Sequence, residues 1–339
     1  MINEMIDKST GNIEKDKKTK IRPLCLAEII YKNTDENHFL TTSQLLKRLE
    51  TDYGIKTHRT TIPDDIEMLR HFGMDIQVTK SSQNKYNLVS RIFDDAELKI
   101  LIDAVASSKF ISLKRSVALS DKLASLAGKY KSKELKRNFA VERRTKSDNE
   151  SIFIITDIIN EAINNGSKIA FQYFTYDLNK KKQLRHGGYK YTVSPYKLVW
   201  NGEFYYLVGY CEKHKAVSSF RVDRIAAPPE ILSDLLLPIP QGFDMEKYLN
   251  TMFRMFSAER KRITLLCDNS VIDSIIDKFG KEVKITARHA DNFEIEVTVA
   301  ITNIFFCWVF GFGGKVKIIS PDDVKADFRN MVLKIAEEL

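Results

Sequence analysis

Two short stretches carry side chains whose types and spacing suit polyanion chemistry. In Phe220-Arg221-Val222-Asp223-Arg224-Ile225, two guanidinium groups stand three residues apart. Neighbouring side chains alternate in a regular strand, so Arg221 and Asp223 are expected on one face, and the plainer alternative is that Asp223 pairs with one arginine and the barrel is only structural. Arginines pair with phosphates and aromatic rings stack on bases, which together hold single-stranded nucleic acid without base pairing. Tyr173, Tyr205 and Tyr206 supply rings on other segments, and Arg185 and His186, ahead of Gly187-Gly188, add to the expected ligand face. Alternation sends one of Tyr205 and Tyr206 into the core. The second stretch is Thr57-His58-Arg59-Thr60-Thr61. Arg59 can fork to guanine in a major groove, with the threonines assisting. Lys80 and Lys85 flank a polar turn and can reach phosphates.

Other chemistries find no support in the sequence. It has no phosphate-binding glycine loop and no paired metal-ligand spacing, so no enzyme activity, metal or cofactor is expected. Cys25, Cys211, Cys267 and Cys307 are far apart among apolar neighbours and are read as buried thiols of a cytoplasmic protein. The longest apolar run, Ile304 to Phe312, is nine residues, and a membrane-spanning helix needs about 20; that run and the Met252-Phe253 and Met255-Phe256 pairs are rich enough to cover a partner in a dimer, with intrachain core as the commoner use. The net charge of +8 is unevenly spread. Residues 109–146 hold twelve Lys and Arg against three acids, and residues 168–230 hold eleven against five. Residues 21–90 hold nine of each. Such concentrated basic fields favour polyanions, and solvated helix faces are the plainer account of the same charge.

The elements that must position these residues can be read from periodicity. Residues 1–19 are expected to be a disordered tail. Leu24, Leu26, Ile29 and Ile30 fit a first helix. Thr41 or Thr42 caps a second, with Leu45, Leu46 and Leu49 on its apolar face and Gly54 ending it. A third carries Ile66, Leu69 and Phe72, with Thr61 as its expected cap, Pro63 near its first turn and Gly73 as its stop. Two short strands follow, Met74–Val78 and Lys85–Val89. This is the layout of a winged helix-turn-helix over 20–90. Residues 91–150 read as a basic helical linker that opens on an Asp94/Glu97 capping box. One amphipathic helix through Ile152, Ile155, Ile159 and Ile163 then gives way to a period of two. The strand candidates are the Ile169–Thr175 segment, Tyr189–Val193, Tyr196–Trp200, Phe204–Tyr210 and Ala216–Val222, with Asn201-Gly202 as a hairpin signal. They suggest a small barrel over 151–235. Residues 245–339 alternate as βαββαβ plus a helix, a ferredoxin-like order.

The order of parts and several motifs resemble the WYL-domain transcriptional regulators of bacteria. The core of the resemblance is Phe204-Tyr-Tyr-Leu-Val-Gly-Tyr210 followed by Phe220-Arg-Val-Asp-Arg-Ile225, with Val193-Ser-Pro-Tyr-Lys-Leu198 before them. Tyr205-Tyr206-Leu207 stands where the family name has Trp-Tyr-Leu, and Trp308-Val-Phe-Gly-Phe-Gly313 resembles the family's C-terminal extension domain. The resemblance implies an α+β multidomain chain: a winged helix, a helical linker, an Sm/SH3-like barrel and a ferredoxin-like C-terminal domain. It further implies a homodimer that binds a double-stranded DNA operator and senses an anionic ligand at the barrel, in some members a single-stranded nucleic acid. One departure stands out. Recognition helices of the family often read Arg-Thr-Ile-x-Arg-Asp-Ile, and here Asp64 replaces the second arginine. A nucleic-acid-binding accessory protein without promoter regulation, for example in phage defence, is the alternative reading. A nucleic-acid-processing enzyme is a more distant one.

Overall fold

The computed structural model describes residues 15–137, 146–246, 248 and 259–338. The chain divides into two compact units, Met1–Glu150 and Ser151–Leu339.

In the first unit, α1 spans Lys15–Asn33 and so takes in the last residues of the segment expected as a tail. A short strand β1 (Leu40–Thr41) precedes α2 (Thr42–Tyr53), then come α3 (Thr61–His71), β2 (Ile76–Thr79) and β3 (Lys85–Leu88). The sheet order is β1-β3-β2, the arrangement of a winged helix. β1 was not foreseen, because two residues are too few for a periodic signal. Its Leu40 pairs with Tyr86 and Thr41 with Lys85. The caps of α2 follow the reading closely. Thr41 and Gln44 close a capping box, and Gly54 takes the left-handed conformation at φ 65° that ends the helix. Leu26, Ile30, Leu45, Leu49, Ile62, Ile66 and Tyr86 form the buried core.

The start of α3 differs from expectation. Thr61 is the first helical residue rather than the cap, and no side chain caps the helix. Instead the Thr61 hydroxyl donates to the His58 carbonyl at 2.8 Å and receives the Thr57 hydroxyl at 2.8 Å. Pro63 is then the third residue of the helix, where its missing N–H forfeits no intrahelical bond. Asp65 of α3 is buried and takes a two-pronged salt bridge from Arg22 of α1, at 2.5 and 3.0 Å. The mutual bonds hold the Arg22 guanidinium above its ordinary pKa, even against the cost of burial.

Helices α4 (Asp95–Ser107), α5 (Leu113–Ser125) and α6 (Gly128–Arg137) complete this unit. The Asp94/Glu97 capping box forms as read. The basic run continues into residues 138–145, which lie outside the described residues. Lys146 folds back, and its ammonium donates to the carbonyls of Val105 and Ser108 and to the Ser116 hydroxyl.

The second unit opens with α7 (Ile152–Asn165), whose Ile152, Ile155 and Ile159 are buried. Strands β4 (Ser167–Gln172), β7 (Lys190–Asn201), β8 (Phe204–Cys211), β9 (Ala216–Arg221) and β10 (Glu230–Leu235) form one antiparallel sheet in the order β10-β4-β7-β8-β9. A bridge between Tyr173 and Ile225 links the two flanks. A helix followed by this strand order is the Sm-like barrel. The two expected strands at 189–193 and 196–200 are one bent strand, β7. Its pairing with β8 shifts register between Pro195 and Lys197, so the proline sits in a bulge where the ladder needs no N–H. Opposite it, a Cβ on Gly209 would stand 2.4 Å from the Ser194 carbonyl oxygen, so only glycine fits. The strand after Gln172 breaks into the hairpin β5 (Phe174–Tyr176) and β6 (Lys182–Leu184).

The C-terminal part runs β11 (Arg260–Asp268), α8 (Ile272–Phe279), β12 (Ile285–Arg288), β13 (Asn292–Ala300), α9 (Asn303–Phe310), β14 (Val316–Ser320) and α10 (Asp322–Glu337). Its sheet order β12-β13-β11-β14 is that of a ferredoxin-like fold. Phe305, Phe306 and Val309 of the apolar run are buried in this domain's own core, so that run is intrachain packing rather than a free face. Met252, Phe253, Met255 and Phe256, also weighed for partner contact, lie outside the described residues. Cys25, Cys211 and Cys267 are buried, whereas Cys307 is exposed, against expectation. It sits on α9 one position beyond Phe306, turned off the core stripe.

Removing one partner of a buried ion pair leaves the other charge desolvated and unmatched. Asp65→Ala is therefore expected to destabilise the first unit by about 3–5 kcal/mol, and Asp65→Ala with Arg22→Met to recover most of that loss. Urea unfolding followed by circular dichroism, with the single and double variants compared, checks both.

Candidate nucleic-acid and anion sites

The expected DNA-contacting residues fall into two groups. Thr57 and Thr61 are half-buried and occupied with the hydrogen bonds that set the start of α3. His58, Arg59 and Thr60 are exposed on the turn ahead of that helix. On the wing, Lys80 is exposed. Lys85 is half-buried, with its ammonium 4.1 Å from the centre of the Phe39 ring. Its stem is thus committed to the domain while its charge stays at the surface.

In the barrel the structure rearranges the expected ligand set. Strand β9 ends at Arg221, and Val222–Arg224 form a turn of 3₁₀ helix. The expectation of a regular strand through Asp223 does not hold. Arg221 and Asp223 still meet, and more tightly than alternation requires. The guanidinium forks to the buried Asp223 carboxylate at 3.1 and 2.8 Å and lies over the Phe204 ring at 3.3 Å. The backbone N–H of Arg221 donates to the Tyr173 hydroxyl at 3.0 Å. Burial pushes that phenol up to about 12. Arg224 turns to the β5–β6 hairpin, 4.5 Å from the Tyr176 ring and 5.5 Å from Phe174. The two arginines therefore serve different neighbours and do not form one anion clamp. Tyr206 is the inward member of its pair, packed with Val208, Val217 and Tyr248, so it offers no face for stacking. Tyr205 is half-buried.

A different group comes together at the other expected residues. Arg185 and His186 sit in the turn after β6, where His186 and Gly187 take left-handed conformations at φ 51° and 64°. Across from them, the β8–β9 hairpin brings Lys213 and His214. The Lys213 ammonium is 4.3 Å from the Tyr189 ring centre and 5.2 Å from that of Tyr191. The His186 and His214 rings lie 6.4 and 6.0 Å from Tyr191. Arg185 lies 5.7 Å from the Tyr173 ring. Among the described residues, none of Arg185, His186, Lys213 and His214 has an acidic partner. Burial lowers the His214 pKa, and the charges of Lys213, Arg185 and His186 lower it further. Tyr189 is 41% exposed beside them. Cations gathered around aromatic rings form a seat for a phosphate with a base beside it.

Sequence reasoning found Arg185 and His186 and missed Lys213 and His214. The signal was present in Glu212-Lys213-His214-Lys215, three basic side chains in a four-residue turn. Its value depends on strand pairing, since β7 lies beside β8 and brings the two turns to one end of the barrel.

No group of side chains suited to a metal ion occurs among the described residues, and no described helix is long and apolar enough to cross a membrane. Residues 155–228 match the WYL domain and residues 259–336 the WCX domain. No curated protein matches the chain. Among solved structures, the proteasome accessory factor B/C of Arthrobacter aurescens is 16% identical, with a TM-score of 0.27. That alignment covers 92% of this chain and 45% of the other, so the chain spans less than half the length of that protein. A CRISPR Cas-related protein is 14% identical with a TM-score of 0.38, over 99% of this chain and 75% of that one. The WYL match falls on α7 and the barrel, and the WCX match on the ferredoxin-like domain, so the chain carries a WYL domain followed by a WCX domain.

Proposed function

We propose that the protein is a non-enzymatic, cytoplasmic transcriptional regulator, acting as a homodimer. Its winged helix binds operator DNA and its WYL barrel senses an anionic ligand, an oligonucleotide being the best fit. The observation that carries the sensing role is the cluster of Arg185, His186, Lys213 and His214 around Tyr189 and Tyr191, with no acidic partner among the described residues. Arg221, the residue first favoured, has its guanidinium occupied by Asp223 and Phe204. The winged-helix order of the first unit supports the DNA-binding role, with Arg59 exposed ahead of α3. Genome-wide occupancy of the tagged protein tests the regulatory role. Enrichment at promoters supports it, and binding without promoter preference favours the accessory-protein reading.

Three outcomes are expected. Each lost phosphate contact should flatten the salt dependence of single-strand binding by about 0.7 in the log–log slope. Arg185→Ala and Lys213→Ala should each do so in a titration of a short fluorescent oligonucleotide against the full chain, whereas Arg221→Ala should chiefly lower stability.

The second outcome concerns pH. Burial, and then the charges of Lys213, Arg185 and His186, depress the proton affinity of His214 in the free protein. An anion bound beside it restores that affinity, so binding takes up protons and tightens as pH falls from about 8 toward 6. The same titration repeated across pH, with His214→Gln expected to flatten the dependence, checks the sign.

Third, Arg59→Ala should cost about 1–3 kcal/mol on the cognate duplex and little on a scrambled one if Arg59 forks to a guanine. Equal losses on both would make it a phosphate contact.

A further inference from the structure

Two adjacent aspartates of α3 have opposite surroundings. Asp65 faces inward to Arg22. Asp64 is exposed on the outer face and has no partner among the described residues. The other acid on that face, Glu67, is held by Arg70 at 2.9 Å and lies 3.6 Å from His71. Asp64 is therefore the free carboxylate of the first turn of the helix, close to the exposed His58, Arg59 and Thr60. In a helix-turn-helix domain the N-terminal residues of the second helix of the pair meet base edges in the major groove.

A carboxylate in that position accepts hydrogen bonds and donates none, and the flanking phosphates repel it. Only an exocyclic amine can compensate its desolvation. Guanine presents N7 and O6, both acceptors, and thymine presents O4 and a methyl group. Adenine offers an amine, but its N7 lone pair lies beside it. Cytosine presents the N4 amine with no acceptor on its own major-groove edge. We infer that Asp64 is a specificity-determining residue that selects cytosine at one operator position and works mainly by rejecting the other bases. This rests on the reading of α3 as the duplex-binding helix. The charge balance of the domain fits such a role. With as many acids as bases over residues 21–90, non-specific attraction to phosphate is weak, and discrimination falls to the base contacts.

The test is selection of bound duplexes from a random-sequence pool by the full-length protein and by Asp64→Asn and Asp64→Ala. Asp64 is exposed, so both variants should fold, which circular dichroism verifies. The wild type is expected to enrich a motif with a fixed cytosine. Asp64→Asn should move that one position toward adenine, whose N6 and N7 an amide side chain can meet together, and leave the rest of the motif in place. Asp64→Ala should lose the preference at that position, with discrimination there falling roughly tenfold to a hundredfold. It should also bind unrelated duplexes more tightly, because the repulsion is gone. An identical motif from all three proteins overturns the role of Asp64 while leaving duplex binding intact. If the wild type enriches no motif at all, the duplex-binding reading of α3 fails and this inference fails with it.

Discussion

A charge can be taken out of water only if something in the protein answers it, and this requirement sorts the charged residues of the chain into two sets. In the first set each buried or half-buried charge is matched by fixed partners. Asp65 has Arg22 across α1 and α3, Asp223 has Arg221 across a single 3₁₀ turn, and the Lys146 ammonium has two carbonyls and a hydroxyl. These groups set geometry. The Arg22–Asp65 fork fixes how α3 lies against α1, and hence which side of α3 faces outward. The Arg221–Asp223 fork, with the Tyr173 hydroxyl on the backbone of Arg221, fixes where β9 stops. In the second set, Arg59, Asp64, Arg185 and Lys213 have no such partners among the described residues and stand at the surface. What the fold leaves unmatched is what remains for a ligand.

This distinction explains which site residues could be read from the sequence. Residue type and spacing indicate which side chains can bind phosphate, and on that basis Arg221, Arg224 and Arg185 look alike. They do not indicate which charges are already neutralised. Asp223 pairing with one of the two arginines was the structural alternative in the sequence, and the fork to Arg221 is that pairing. Lys213 was beyond reach for another reason. Its place beside Tyr189 and Tyr191 depends on β7 running on past the register shift at Pro195, so that Val193 pairs with Cys211 and residues 189–191 come level with the 212–215 turn.

The elements themselves were more legible, because their causes are local. The Thr41/Gln44 and Asp94/Glu97 capping boxes and the Gly54 stop lie within a few residues of the elements they bound, and each formed where it was read. The misreadings occurred where tertiary contacts overrode local signals. Tyr189–Val193 and Tyr196–Trp200 looked like two strands, yet the bulge at Pro195 opposite Gly209 keeps them in one ladder. Thr61 looked like a cap, yet its hydroxyl turns back to His58 and receives Thr57. The apolar run of α9 looked wide enough for a partner, yet β11, β13 and β14 supply the surface that covers it.

The barrel cluster also has an energetic consequence. Four cationic or protonatable side chains stand together here with no acidic partner among the described residues; burial lowers the proton affinity of His214, and the charges of Lys213, Arg185 and His186 lower it further. Tyr189 and Tyr191 offset part of the repulsion among these charges through their ring faces, at 4.3 and 5.2 Å from the Lys213 ammonium. A bound phosphate would remove the remainder, so part of its binding energy is repulsion already present in the empty barrel. A site whose cations are all paired has no such reserve, because an incoming anion must displace a carboxylate before it gains a contact. By this argument Arg221 and Arg185 differ in kind although both are arginines of the same barrel. Arg221 is held by its own carboxylate, and Arg185 is available to an anion from solution.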